Sequence, residues 1–266
     1  METTAKPAYL IVDTETIPDG RLLSMVKYPK DELSPEAAIQ RAQEEARARS
    51  REGSDFLSVS YHVPVAVCVI RVGADLALQR ITCLDAPQYR PRIIVRQFWE
   101  GLARVVGSTI VSFNGRGFDI PMLELAAFRY GVSCGRDYFQ TTRNRYRDGH
   151  FDILAFLNNY GACHHSGGLN LLAKILGKPG KMEVAGDRVY PLYQAGKLQE
   201  INDYCIHDTL DTYFAFVRCR VMLGEITLEQ EKEIVQDAKT FLINRVTELP
   251  ALQTYLANWG DWNPWL

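Results

Sequence analysis

The sequence predicts an α/β fold in which helices flank a mixed central β-sheet. Three observations predict it. The first β-rich runs are joined by hairpin-like links, later strands alternate with helices, and neither an internal repeat nor a long Pro/Gly/Ser linker divides the chain. At 266 residues and 47% hydrophobic composition the chain can bury a full core. The expectation is one large domain over residues 1–225, with a helical insertion at about 30–55. Residues 226–266 form a C-terminal helical extension packed on that domain or on a subunit partner.

The elements follow in order. Tyr9-Leu10-Ile11-Val12 is a short buried strand stopping at Asp13. Ser34-Pro35-Glu36 starts a helix inside a charge-mixed stretch from Leu33 to Glu52, read as a surface excursion. Val65–Val72 and Leu76–Cys83 are strands around a Gly73-Ala74-Asp75 turn. A helix over Ile93–Val106 ends at Gly107, and Thr109–Phe113 is a further buried strand. Phe118–Tyr130 is an apolar helix closed by Gly131, and His150-Phe151-Asp152 is a short strand or turn. Helices follow at about 153–160, 168–177, 198–223 and 227–257.

Composition excludes some classes. A net charge of −2 gives no overall attraction to nucleic acid, so any such binding needs a local basic groove. No apolar run is long enough to span a membrane, and no charged-then-apolar leader opens the chain, so a soluble, cytoplasmic protein is expected. The six cysteines, Cys68, Cys83, Cys134, Cys163, Cys205 and Cys219, have no metal-type spacing and read as reduced core residues. Cys163-His164-His165 lacks a nearby second ligand pair and is not read as a zinc site.

Acids cluster where chemistry is expected. Asp13 and Glu15, at i and i+2 on extended chain, point to one side and suit a hard divalent cation, although for the pair alone a turn or N-cap after a strand is the better explanation. Asp119 opens a helix after the glycine-bearing turn Asn114-Gly115-Arg116-Gly117, where an N-cap role competes with a catalytic one. On a helical wheel of residues 200–225, Glu200, His207, Asp211, Arg218 and Glu225 form one polar stripe, read as a solvated face without catalytic members. Asp208 falls beside Ile201, Cys205, Thr212 and Phe216 instead, with Tyr204 one turn earlier on its side. An inward-facing acid needs a partner or a metal.

Asp13-x-Glu15, Asn114-x-x-x-Phe118-Asp119 and Tyr204-x-x-x-Asp208 together resemble the three exonuclease motifs of the DEDD superfamily, in the order and spacing of its tyrosine branch. The histidine branch would need histidine where Asp203 stands. Phe118-Asp119-Ile120-Pro121-x-Leu123, His150-Phe151-Asp152, Leu176-Gly177-Lys178-Pro179-Gly180-Lys181 and Tyr204-Cys205-Ile206-x-Asp208 are similar to stand-alone predicted exonucleases related to the proofreading domain of family-B DNA polymerases. The resemblance covers roughly residues 8–223. It implies an RNase H-like fold and 3′–5′ exonuclease activity on nucleic acid with a free 3′ end, single-stranded DNA before RNA.

The resemblance also implies two Mg²⁺ or Mn²⁺ ions held by Asp13, Glu15, Asp119 and Asp208. Tyr204 would orient or help deprotonate the attacking water. Asn114, Phe118 and Lys181 would contact the 3′ end and its phosphate, Phe118 and Lys181 having core-packing and solvated-loop roles as alternatives. Asp152, at a strand end nearby, reads as an N-cap or a supporting residue.

The loop from Tyr138 to Arg147 interleaves aromatics with Arg143, Arg145 and Arg147, a composition suited to a single-strand track. The tail Trp259-Gly260-Asp261-Trp262-Asn263-Pro264-Trp265 is too aromatic to stand free in water, so docking on its own domain or on a second subunit, as a homo-oligomer, is expected. Two other classes compete with the enzyme reading: a non-catalytic nucleic-acid-binding module, and a proofreading or scaffold subunit bound to a polymerase.

Overall fold

A computed structural model describes residues 6–51, 53–182 and 188–263. Five strands form one sheet in the order β3-β2-β1-β4-β5: β1 (Tyr9–Pro18), β2 (His62–Val72), β3 (Leu78–Cys83), β4 (Thr109–Ser112) and β5 (His150–Asp152). β1 runs antiparallel to β2 and parallel to β4, and β4 parallel to β5, so the sheet is mixed. This is the α/β, RNase H-like arrangement expected.

Side-chain alternation along β1 divides the core in two. Leu10 and Val12 pack with α3 (Pro91–Ala103) and α4 (Asp119–Tyr130) through Ile94, Trp99, Met122 and Leu123. Ile11 faces the opposite layer, built on α8 (Leu198–Met222) with Ile201, Cys205 and Phe216. The period of two therefore sends Asp13 and Glu15 toward α8, and Thr14 toward α4.

Two sequence expectations about β1 and its sequel need correction. The strand does not stop at Asp13 but continues to Pro18, paired with β2 throughout. What stops is its pairing with β4, recorded only from Tyr9 to Ile11. The sheet thus opens between β1 and β4, and the acids stand on the wall of that opening. The link to β2 then carries α1 (Gly20–Lys27), capped by Asp19 and not foreseen, before the expected α2 (Pro35–Arg49), capped by Ser34. Leu23, Ile39, Ala42 and Leu57 give this excursion a small core of its own.

A larger correction concerns α8. His207 and Asp211, assigned to a solvated stripe, are buried. The last helical stretch is two helices, α9 (Leu228–Ile243) and α10 (Ala251–Ala257), broken before Pro250, and they cover that stripe. Tyr255 donates its hydroxyl to Asp211 Oδ1 at 2.7 Å, His207 Nε2 lies 2.8 Å from the Ala251 carbonyl, and Arg218 holds Glu231 of α9 at 2.7 Å. Only the ends of the stripe, Glu200 and Glu225, remain exposed.

The tail docks on its own chain. Trp259 packs edge-on against Phe214 and Tyr255, with the buried Lys178 ammonium 4.0 Å from its ring centre, and Arg218 lies over Trp262. The Gly260 amide donates to the Gly177 carbonyl at 2.8 Å. Gly177, at φ 68°, would place a Cβ 2.5 Å from the Asp261 carbonyl, so this clasp admits no larger residue. Pro264 and Trp265 lie outside the described residues.

Candidate active site

The opening between β1 and β4 gathers acids from three parts of the chain. Asp13 and Glu15 come from β1, Asp208 from α8 after α5 (Ile153–Leu157), α6 (Gly168–Ile175) and α7 (Val189–Gln194) have returned the chain to the sheet. One carboxylate oxygen from each of the three lies within 4.8 Å of the others. Carboxylates this close repel one another, and burial removes the water that would screen them. Asp13 and Glu15 are consequently pushed well above the usual carboxylate range, by burial first and then by their neighbours' charges. Asp208 is raised to about 6, by burial, against the pull of its Tyr204 hydrogen bond and of Lys181.

The fourth acid stands apart from this triad. Asp119 at the start of α4 is buried and accepts the Thr14 hydroxyl at 2.5 Å; burial raises it to about 6. Its charge acts on both Asp13 and Glu15. Thr14, whose side of β1 alternates away from the acids, is a site residue that sequence reasoning missed. Its one available signal was position: a threonine between two acids must face the other layer, where the second motif lies. Cys205 is a second such residue, its thiol 3.4 Å from the Asp13 carbonyl.

Local folding explains how Asp119 is delivered. After β4 the chain turns at Asn114, φ 63°, and the Ile120 amide closes the turn on the Gly115 carbonyl at 2.9 Å. A Cβ on Gly115 would fall 2.3 Å from Ser112 Oγ and 3.4 Å from the Asp119 carboxylate. Asp152 fixes this loop from the neighbouring strand, accepting the amides of Asn114 (3.0 Å) and Arg116 (2.8 Å) while also capping α5 through Ala155. Asp152 is therefore both the N-cap and the loop support that the sequence left undecided.

Tyr204 is buried and hydrogen-bonded to Asp208; burial and that carboxylate raise its phenol far above the ordinary range. It keeps its proton at any physiological pH. Asn114 is exposed at the mouth of the loop. Phe118 is half-buried, 5.5 Å from the exposed ring of Phe56 and edge-on to His62 at 5.8 Å, so it belongs to a surface aromatic cluster. The Lys181 amide donates to Asn170 Oδ1, and its charge lowers both Glu15 and Asp208. A small cavity of about 320 Å³ joins Lys181, Asp208 and Asp211.

The three arginines of the 138–147 loop are not equivalent. Arg143 is held by Glu124 at 2.7 Å, and that carboxylate also takes the Tyr138 hydroxyl. Arg145 and Arg147 lie on the exposed part of the loop, away from the triad. Cys163 and His165 are exposed and 3.5 Å apart, and among the described residues the acid triad is the group arranged to hold a metal. All six cysteines are free thiols, and no helix among the described residues is long and apolar enough to cross a membrane.

The donor set itself tests whether a metal fits. Asp13 Oδ2 is buried without a hydrogen-bond partner, beside two further carboxylates. An all-oxygen, repelling, partly unsatisfied cluster is what a hard divalent cation relieves.

A family model described as a predicted 3′–5′ exonuclease related to the exonuclease domain of PolB matches residues 54–259. No curated protein matches the chain. The matched segment carries Asn114, Phe118, Asp119, Tyr204 and Asp208, and begins after β1, so Asp13 and Glu15 enter the site from outside it. It also runs through α9 and α10 to Trp259, beyond the limit near residue 223 that the motifs alone gave.

Proposed function

The chain belongs to the predicted 3′–5′ exonuclease family related to the exonuclease domain of PolB, and from that premise we propose that it removes nucleoside monophosphates from a free 3′ end by a two-metal mechanism of the tyrosine-bearing DEDD type. Single-stranded DNA is the favoured substrate. The observation that carries the proposal is the triad of Asp13, Glu15 and Asp208, three carboxylates within 4.8 Å with an unpartnered buried oxygen among them. The family implies divalent metal; we assign Mg²⁺ or Mn²⁺ because every candidate ligand is oxygen.

Bound divalent ions supply an activated water and a counter-charge for the leaving 3′ oxygen. Asp13, Glu15 and Asp208 would hold them, with Asp119 supporting the second ion directly or through water. Thr14 keeps the Asp119 carboxylate aimed into the opening. Tyr204, hydrogen-bonded to Asp208, would orient the attacking water or help deprotonate it. Asn114 at the loop mouth would hydrogen-bond the terminal nucleotide, Phe118 would stack on its base, and Lys181 would meet the phosphate.

The test is a cleavage time course on oligonucleotides blocked at the 3′ or the 5′ end, with Mg²⁺, Mn²⁺ or EDTA. Digestion is expected only with an open 3′ end and metal, and Asp13→Ala is expected to be inactive. Cleavage indifferent to the 3′ block, or undiminished in Asp13→Ala, refutes the proposal.

A further inference from the structure

Across the Asp119 loop from the acid triad, the β4–β5 side of the sheet carries a feature that hydrolysis alone does not need. Two clefts adjoin at the ends of β4 and β5. One, of about 470 Å³, opens at Asn114 and Gly117 in the loop that delivers Asp119. The other, of about 640 Å³, continues along β5 to Tyr146 and Arg147. Arg116, Arg145 and Tyr160 line both, so the two form one groove leading away from the site.

The groove presents rings and cations together. Tyr146 is 88% exposed and Tyr160 68%, unusual for large side chains that a core could bury. The Arg145 guanidinium stands 5.7 Å from the first ring centre and 6.0 Å from the second, bridging them. Tyr160 is held outward by a strained turn, with Asn159 at φ 50° and Tyr160 at φ 55°, left-handed conformations that non-glycine residues rarely take. The turn is locked by Tyr160 N to the Ala155 carbonyl at 2.7 Å and Cys163 N to the Asn158 carbonyl at 3.0 Å.

Nearby acids do not cancel these cations. Asp152 is turned inward onto backbone amides, Glu225 is taken by Arg220, and Glu124 by Arg143. Among the described residues lining the groove, Asp148 is the acid left on the rim. In a chain of net charge −2, this is a local basic groove of the kind nucleic acid requires. Exposed rings interleaved with arginines stack unpaired bases and neutralise the phosphates between them, which a duplex, with its base faces covered, does not permit.

We propose that this groove is a second binding tract, holding single-stranded nucleic acid 5′ of the nucleotide being removed, with bases on Tyr146 and Tyr160 and phosphates on Arg116, Arg145 and Arg147. The inference rests on the exonuclease reading for the direction of the strand. Its consequence is a length dependence: long strands use the tract and a dinucleotide does not reach it. Arg143 lines the first cleft, but it is tied to Glu124 and is assigned no phosphate.

Two variants test this, Tyr146→Ala/Tyr160→Ala and Arg145→Glu/Arg147→Glu, all at exposed positions, with melting temperature as the folding control. Binding of a fluorescent oligodeoxythymidylate is measured in EDTA over a salt series, and cleavage of the same oligomer and of a dinucleotide is measured with metal. The tyrosine variant is expected to weaken oligomer binding and raise its KM about tenfold or more, leaving kcat and dinucleotide cleavage as in the wild type. The arginine variant is expected to flatten the salt dependence of binding by about one to two units of slope. Oligomer binding and cleavage unchanged in both variants, or dinucleotide cleavage falling as far as oligomer cleavage, overturns the tract while leaving the exonuclease intact. A wild type that cleaves nothing, yet binds the oligomer in EDTA with the same variant sensitivity, refutes the exonuclease reading and supports the tract.

Discussion

Asp208 and Asp211 sit three residues apart on α8, the first half-buried at a cavity and the second buried, and the fold treats them oppositely. Asp211 has a partner from elsewhere in the chain: Tyr255 of α10 donates to its Oδ1 at 2.7 Å, while its Oδ2 is buried without a hydrogen-bond partner and no other carboxylate is clustered with it among the described residues. Asp208 meets two further carboxylates and, among the described residues, is answered by Tyr204 and the charge of Lys181. One buried acid is made structural by a hydroxyl, and its neighbour is left short of a counter-charge that must come from solution. The fold's own partners, and not the residue type, separate a supporting acid from a ligand.

The sharpest way to break this contrast is Asp13→Asn. If the triad is kept electrically unsatisfied for a cation, cleavage should fall by at least about 100-fold. The same variant should melt above the wild type in EDTA, because repulsion is relieved. Saturating Mn²⁺ should then stabilise the wild type, by about 2.7 kcal/mol at a hundredfold excess over Kd, and the variant much less. Equal metal stabilisation of both proteins in differential scanning calorimetry would erase the distinction.

Next in size is Thr14→Val. It removes the hydroxyl that aims Asp119 and should cost about 10–100-fold in kcat or in metal affinity, with little change in melting temperature. On the other side of the comparison, Tyr255→Phe leaves Asp211 without its donor and should cost about 1–3 kcal/mol of stability by denaturant titration. A destabilised Thr14→Val with full activity would reverse the roles assigned to the two acids.

The smallest effect concerns pH. Burial raises Asp211 to about 7 in the folded protein from 3.8. Between those values the folded state holds a proton that the unfolded chain has lost, so this contribution is complete below pH 3.8 and disappears as pH rises through 7. Asp211→Asn, which keeps an acceptor for Tyr255, should remove up to about 1.4 kcal/mol per pH unit from the slope of stability over that window. Parallel stability curves for the two proteins would show that Asp211 is not held protonated.

Sequence patterns showed the sheet and the order of the main helices, and pointed to Asp13, Glu15 and Asp208, which the fold gathers, because each rests on a local period or on a spaced motif. They did not show what covers α8. The stripe through His207 and Asp211 is polar, and a wheel cannot tell water from the Tyr255, Ala251 and Glu231 that arrive from 13 to 44 positions away. The extent of β1 was missed for a related reason: Thr14, Glu15 and Thr16 carry no apolar run, and their strand geometry is imposed by pairing with β2. α7 contains Pro191 and α1 begins at Gly20, residues whose ordinary reading is to interrupt a helix. The bond between Thr14 and Asp119 spans 105 positions and has no local signature.

The Gly260 to Gly177 clasp has a further consequence, for the order in which the site is made. Gly177 and Lys178 take their seats against Trp259, Gly260 and Asp261, and the helix bearing Asp208 is roofed by α10. During synthesis, residues 13 and 15 emerge long before residues 251–261, which close that frame. A chain cut short before residue 251 thus carries the acids without the frame that steadies their partners. Arrival of α10 separates possession of the acids from their alignment.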